Sequence, residues 1–158
     1  MKGKLLIILT FLISFLSFSQ EINKIEFHYS NSVIIGSETN IIFESVKKNR
    51  RNRVKIITER KNDFFTQKIT QKKFLKLCKA ISKINTVTYN LIKGKDSIKY
   101  NCIDGSDIII TTFQNNIKKQ YFIECLASVD KDSHDRKDFW YAVQLIAESV
   151  GIRIEDLY

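Results

Sequence analysis

Two histidines, His28 and His134, are the side chains best suited by type to move a proton near neutral pH. Neither has the neighbours that catalysis asks for. There is no His-Glu-x-x-His zinc pair, no Gly-x-Ser-x-Gly nucleophile elbow and no glycine-rich phosphate loop in the chain. His28 alternates with apolar residues, as a solvent-facing strand position does, and His134 stands in a polar run. The acids of that run, Asp130, Asp132 and Asp135, look like the start of a calcium loop, but Asp135 stands where such a loop turns on glycine and Tyr141 where it needs a bidentate glutamate. They read instead as the acidic start of a helix. Asp104 and Asp107 fit the turn at Asp104-Gly105. A hydrolase with an unrecognised site is thus the least favoured reading, and no catalytic, metal or cofactor residue is assigned.

Cysteine chemistry is open in a different way. Cys78, Cys102 and Cys125 allow three pairings and leave one thiol over. The expectation is three buried free thiols. A strand intervening between those of Cys102 and Cys125 disfavours their direct bond, whereas Cys78 with either is geometrically open.

Charge is the more pointed signal. Residues 47–83 contain fourteen Lys or Arg against Glu59 and Asp63, a net of +12 in a chain whose formal total is +9. If the segment folds onto one surface, it makes a site for a polyanion, with Arg50, Arg51, Arg53, Lys55, Lys72, Lys76, Lys79 and Lys83 as contacts. The plain alternative is a solvated surface in a lysine-biased chain, in which lysines outnumber arginines 20 to 6. Phe64 and Phe65 lie between the two basic clusters and are expected to staple their loop to the core. Three consecutive aromatics from Phe139 to Tyr141 cannot share one face of a helix; ordinary packing against a broad sheet is the favoured reading, with Trp140, Tyr141 and Leu145 as candidate contacts for a protein partner.

The leader decides where such chemistry would operate. Lys2 and Lys4 precede an uncharged, mostly apolar run over residues 5–18, and Ser17-Phe18-Ser19 supplies a small-x-small site before Gln20. This is the pattern of a signal peptide over residues 1–19, too short to be a comfortable membrane span. No cysteine precedes Cys78 to accept a lipid anchor. The expected product is one soluble domain, residues 20–158, periplasmic or secreted and without a stable membrane span. Its partner is then an unknown protein or an anionic ligand outside the cytoplasm, with intracellular nucleic acid disfavoured. The functional expectation is an exported, noncatalytic binding or protein-interaction domain, with a polyanion-binding module as the alternative.

Periodicity supplies the scaffold. Alternation of Ile25, Phe27 and Tyr29 with Glu26, His28 and Ser30 marks a strand, followed by strands at 32–35, 40–46 and 53–60. Thr70 caps a helix whose apolar stripe is Phe74, Leu77, Cys78 and Ile81, with Ile69 and Phe74 as a hydrophobic staple. Strands follow at 87–92, 98–103, 107–113 and 117–126, the last two turning at Asn115-Asn116. A final helix over 135–150 takes Asp135 as its N-cap and Gly151 as its C-cap. The sum is an α+β fold in the order ββββ-α-ββββ-α, a mainly antiparallel sheet with two packing helices.

Overall fold

The computed structural model describes residues 22–31, 34, 37–46, 53–60, 63–85, 106–115 and 117–157. Alternation of side chains places Lys24–Asn31 (β1) in a sheet: Ile25, Phe27 and Tyr29 are buried, while Lys24, Glu26, His28 and Ser30 retain contact with water. Thr39–Val46 (β2) buries Thr39, Ile41 and Phe43, and Arg53–Arg60 (β3) buries Val54, Ile56 and Thr58 on the same principle. Asp63–Thr70 (β4) departs from it, since Ile69 alone is partly covered and every other side chain is exposed. Ser106–Gln114 (β5) and Ile117–Glu124 (β6) are joined at Asn115, whose φ of 45° is left-handed backbone that asparagine tolerates better than most residues.

All neighbours in the sheet are antiparallel, in the order β4-β3-β2-β1-β5-β6. Register carries the buried parity across the sheet: Phe43, Ile25 and Thr112 lie side by side, as do Ile41, Phe27 and Ile110. Burial of the large apolar side chains is therefore one-sided, with Thr111 buried on the other face, and both helices contribute to the same core. Gln71–Ile81 (α1) buries Phe74, Leu77, Ala80 and Ile81. Its first turn is capped by the Thr70 hydroxyl, which accepts from the Lys73 backbone N–H at 3.4 Å, and Ile69, partly buried, packs against the core to which Phe74 belongs. Lys137–Val150 (α2) buries Phe139, Trp140, Ala142, Val143, Leu145, Ile146 and Ala147. That arc exceeds a single stripe because α2 contacts α1 and the 3₁₀ turns Ser128–Lys131 and Ile154–Leu157 besides facing the common core. Complete burial of Phe27, Phe43, Phe74 or Phe139 contributes about 1.5–3 kcal/mol each.

The expected α+β class and order hold, with a correction to the membership of the first four strands. Of the strand expected at 32–35, Ile34 is the one described residue, and it lies in a bend rather than a strand: its N–H reaches Asn31 Oδ1 at 3.2 Å and its carbonyl accepts from the Ser37 N–H. The fourth strand is β4, which has no buried face to give it a period-two pattern. The strands expected at 87–92 and 98–103, the tip at 47–52 and the Asp104-Gly105 turn lie outside the described residues. At the last helix, Gly151 takes the left-handed C-cap with φ 74°, as expected, but the N-cap position belongs to Arg136, two residues of turn having displaced the start. Among the described residues no helix is long and apolar enough to cross a membrane.

Candidate interaction surface

β4 forms one margin of the sheet, with β3 as its strand partner among the described residues. An antiparallel edge strand turns every second N–H and C=O away from its partner. Phe64 is 70% exposed and Phe65 59% exposed, on opposite faces of the strand. They are not stapled to a core. The strand is held from the helix side by Gln67, whose Nε2 donates to the Ser149 carbonyl near the end of α2 at 2.9 Å.

Charge gathers at the other end of β4. Lys68 lies directly across from Lys55, and Arg53 across from Thr70, on the face of the sheet away from the helices. Like charges facing each other on adjacent strands repel. Glu44 is the acid one strand further, across from Lys55. No ion pair engages Arg53, Lys55, Lys68, Lys72 or Lys73 among the described residues. Near the start of β4 the charges are mixed: Glu59 faces Phe64, and Arg60 faces Asp63.

The sheet divides the expected polyanion contacts. Arg53 and Lys55 project from the face without helices, whereas Lys72, Lys76, Lys79 and Lys83 belong to α1 and its C-terminal turn on the covered side, all exposed to water. Arg50 and Arg51 lie outside the described residues. Lys76 Nζ stands 5.8 Å from the centre of the Tyr141 ring, a cation–π contact between the two helices. Of the three candidate partner contacts, Tyr141 is 42% exposed, but Trp140 at 6% and Leu145 at 8% belong to the core. Their burial agrees with ordinary packing and follows from the double-sided packing of α2.

The remaining polar groups are tied into the scaffold. His28 Nδ1 lies 2.7 Å from Asn40 Oδ1 across the β1–β2 pair, and His134 Nδ1 lies 2.9 Å from Asp135 Oδ1 at the surface. Asp130, expected only as part of an acidic run, is buried: one carboxylate oxygen accepts from the Ala127 N–H at 2.8 Å, and the other meets Arg136 Nη1 at 3.2 Å. Arg136 Nη2 in turn donates to the carbonyls of Glu124 and Cys125 at 2.7 and 3.0 Å. Together they latch the end of β6 to the start of α2. No signal in the sequence marks this pair, because an acid and an arginine six residues apart are ordinary until one is buried. No group of three His, Cys, Asp or Glu side chains that could hold a metal occurs among the described residues.

Cysteine is corrected as well. Cys78 is half-buried and outside any disulfide, but Cys125 is disulfide-bonded, which removes both pairings that use Cys78 and overturns the expectation of three thiols. Cys102 lies outside the described residues. Cys125 also has left-handed backbone, φ 54°, and its N–H donates to the Ser106 carbonyl at 2.7 Å. At the C-terminal 3₁₀ turn, a hydrogen bond from Arg153 at 2.9 Å holds the Asp156 carboxyl below its usual range, with the positive charges of Arg153 and Arg60 assisting.

No protein-family model matches this chain, and no curated protein does.

Proposed function

We propose that this chain is an exported, noncatalytic protein-interaction domain that meets its partner along β4. The observation that carries the reading is the pair Phe64 and Phe65, large aromatic side chains held in water on a strand at the margin of the sheet. Exposed aromatics anchor interfaces because they bury much area at little loss of rotamer freedom. Export rests on the basic start, short apolar run and small-x-small site of residues 1–19. The disulfide at Cys125 supports it, since such bonds persist mainly in oxidising compartments.

A photo-crosslinking side chain placed at position 64 tests the contact. In the extracytoplasmic fraction it is expected to yield a discrete polypeptide adduct that the same probe at exposed Glu148, on the outer side of α2, does not yield. Equal products from both positions, or none from position 64, overturn the reading. Intact mass of the exported protein checks processing: the expected product begins at Gln20, and a retained leader overturns cleavage.

The alternative is polyanion binding by α1, favoured by the exposed Lys72, Lys76, Lys79 and Lys83 along one element. It predicts salt-sensitive retention on heparin that falls when Lys72, Lys76 and Lys79 are neutralised together. Retention unchanged by that triple substitution overturns it.

A further inference from the structure

We infer that β4 accepts an extended polypeptide segment as an added strand, and that this segment is apolar at one end and acidic at the other. The inference rests on the interaction reading above and names its partner chemistry.

The backbone argues for a polypeptide. Eight consecutive residues, Asp63–Thr70, pair with β3 on one side, and none of the described strands pairs on the other. A ladder of alternating N–H and C=O groups is matched by another peptide backbone. A polysaccharide or a phosphate surface offers no such repeat. β4 also lacks the usual defences of an edge: it contains no proline, it is not short, and Lys68 is its single basic residue.

Side chains supply the polarity. Phe64 and Lys68 share the face away from the helices, four residues or about 13 Å apart along the strand. An apolar partner residue beside Phe64 and an acidic one beside Lys68 match both positions. The acid would also offset the repulsion between Lys68 and Lys55, with Arg53 beyond them. Phe65, on the opposite face, extends the apolar end. A second copy of this chain fits less well, because it would bring a strongly positive protein against itself, +7 by formal charge once Lys2 and Lys4 leave with residues 1–19.

The test uses the processed, oxidised protein and a fluorescent synthetic peptide as long as β4. The peptide is rich in threonine and valine, with phenylalanine at one end and glutamates on alternate positions at the other. Anisotropy is expected to show binding that weakens roughly tenfold or more when alternate peptide nitrogens are methylated, a change that blocks the ladder without touching charge. Lys68→Glu is expected to weaken the unmethylated peptide by a similar factor while leaving the thermal midpoint within a degree or two. Equal binding of the methylated peptide, or of heparin with the same dependence on Lys68, overturns strand addition in favour of charge alone. A dimer in sedimentation equilibrium that Phe64→Lys disperses overturns it in favour of self-pairing. A position-64 adduct combined with equal binding of the methylated peptide sinks this inference and leaves the interaction reading standing, whereas a missing adduct removes both.

Discussion

The two margins of the sheet are built from strands of equal length and serve opposite ends. β6 sends Tyr121 and Ile123 into the core, carries Lys118 and Lys119 on opposite faces of its exposed stretch, and runs into Cys125 and the buried Asp130–Arg136 pair. β4 sends nothing fully into the core and leaves two phenylalanines in water. Strands at the margin can thus be retained by burial or left open to water, and here one chain does each. Lysine pairs on β6 discourage another strand from joining, while β4 confines its positive charge to one end.

That contrast can be broken first by unlatching β6. Asp130→Ala strands the Arg136 guanidinium and is expected to lower the unfolding free energy by about 3–5 kcal/mol, read from urea denaturation. Tyr121→Ala, a buried aromatic truncation, should cost a similar amount, about 3–5 kcal/mol. If both lose less than the β4 variants, the assignment of β6 to retention is wrong. On the other margin, Gln67→Ala removes the hydrogen bond to Ser149, and about 1 kcal/mol of stability should go with it. Phe64→Ala and Phe65→Ala are expected to stay within about 0.5 kcal/mol of the parent in the same assay, as exposed substitutions do. A loss as large as that of Tyr121→Ala would place them in the core after all.

The smallest expected effect is a pH dependence. Asp156 has a lowered pKa in the folded state, so its contribution is present above the unfolded value, near that of an ordinary carboxyl, and disappears as pH falls through the folded one. Asp156→Asn should accordingly match the parent in thermal midpoint at strongly acidic pH and fall slightly below it near neutrality. Parallel pH profiles for the two proteins would remove Asp156 from the acid response.

What the sequence revealed tracks burial closely. β1 and β3 announce themselves because one face of each meets the core, and α1 because its cap and its apolar stripe coincide. Asn115 in left-handed backbone marks the β5–β6 hairpin for the same reason, a local requirement with a local residue to meet it. β4 is illegible by alternation because neither face is buried. Its β-favouring Phe-Phe-Thr stretch and its short link to β3 were the available clues. Trp140 and Leu145 stayed open between core and contact in the sequence because helix periodicity gives the width of an apolar face only when the number of packing partners is known. The site legible in sequence was charge; where that charge stands relative to the sheet depends on strand parity, which splits Arg53 and Lys55 from the lysines of α1.

The central place of β1 has a consequence for how the molecule is made. Its hairpin partner β2 follows at once in the chain, but its other neighbour, β5, pairs Ile25 with Thr112 and Phe27 with Ile110 across most of the sequence. A polypeptide delivered N-terminus first can assemble the β1-to-β4 meander early and must then wait, with the inner flank of β1 unpaired, for β5 to arrive. Long-range pairing of this kind slows folding and prolongs the period in which another chain can occupy the vacancy. Assembly is therefore most exposed to error at the strand that ends up deepest in the finished sheet.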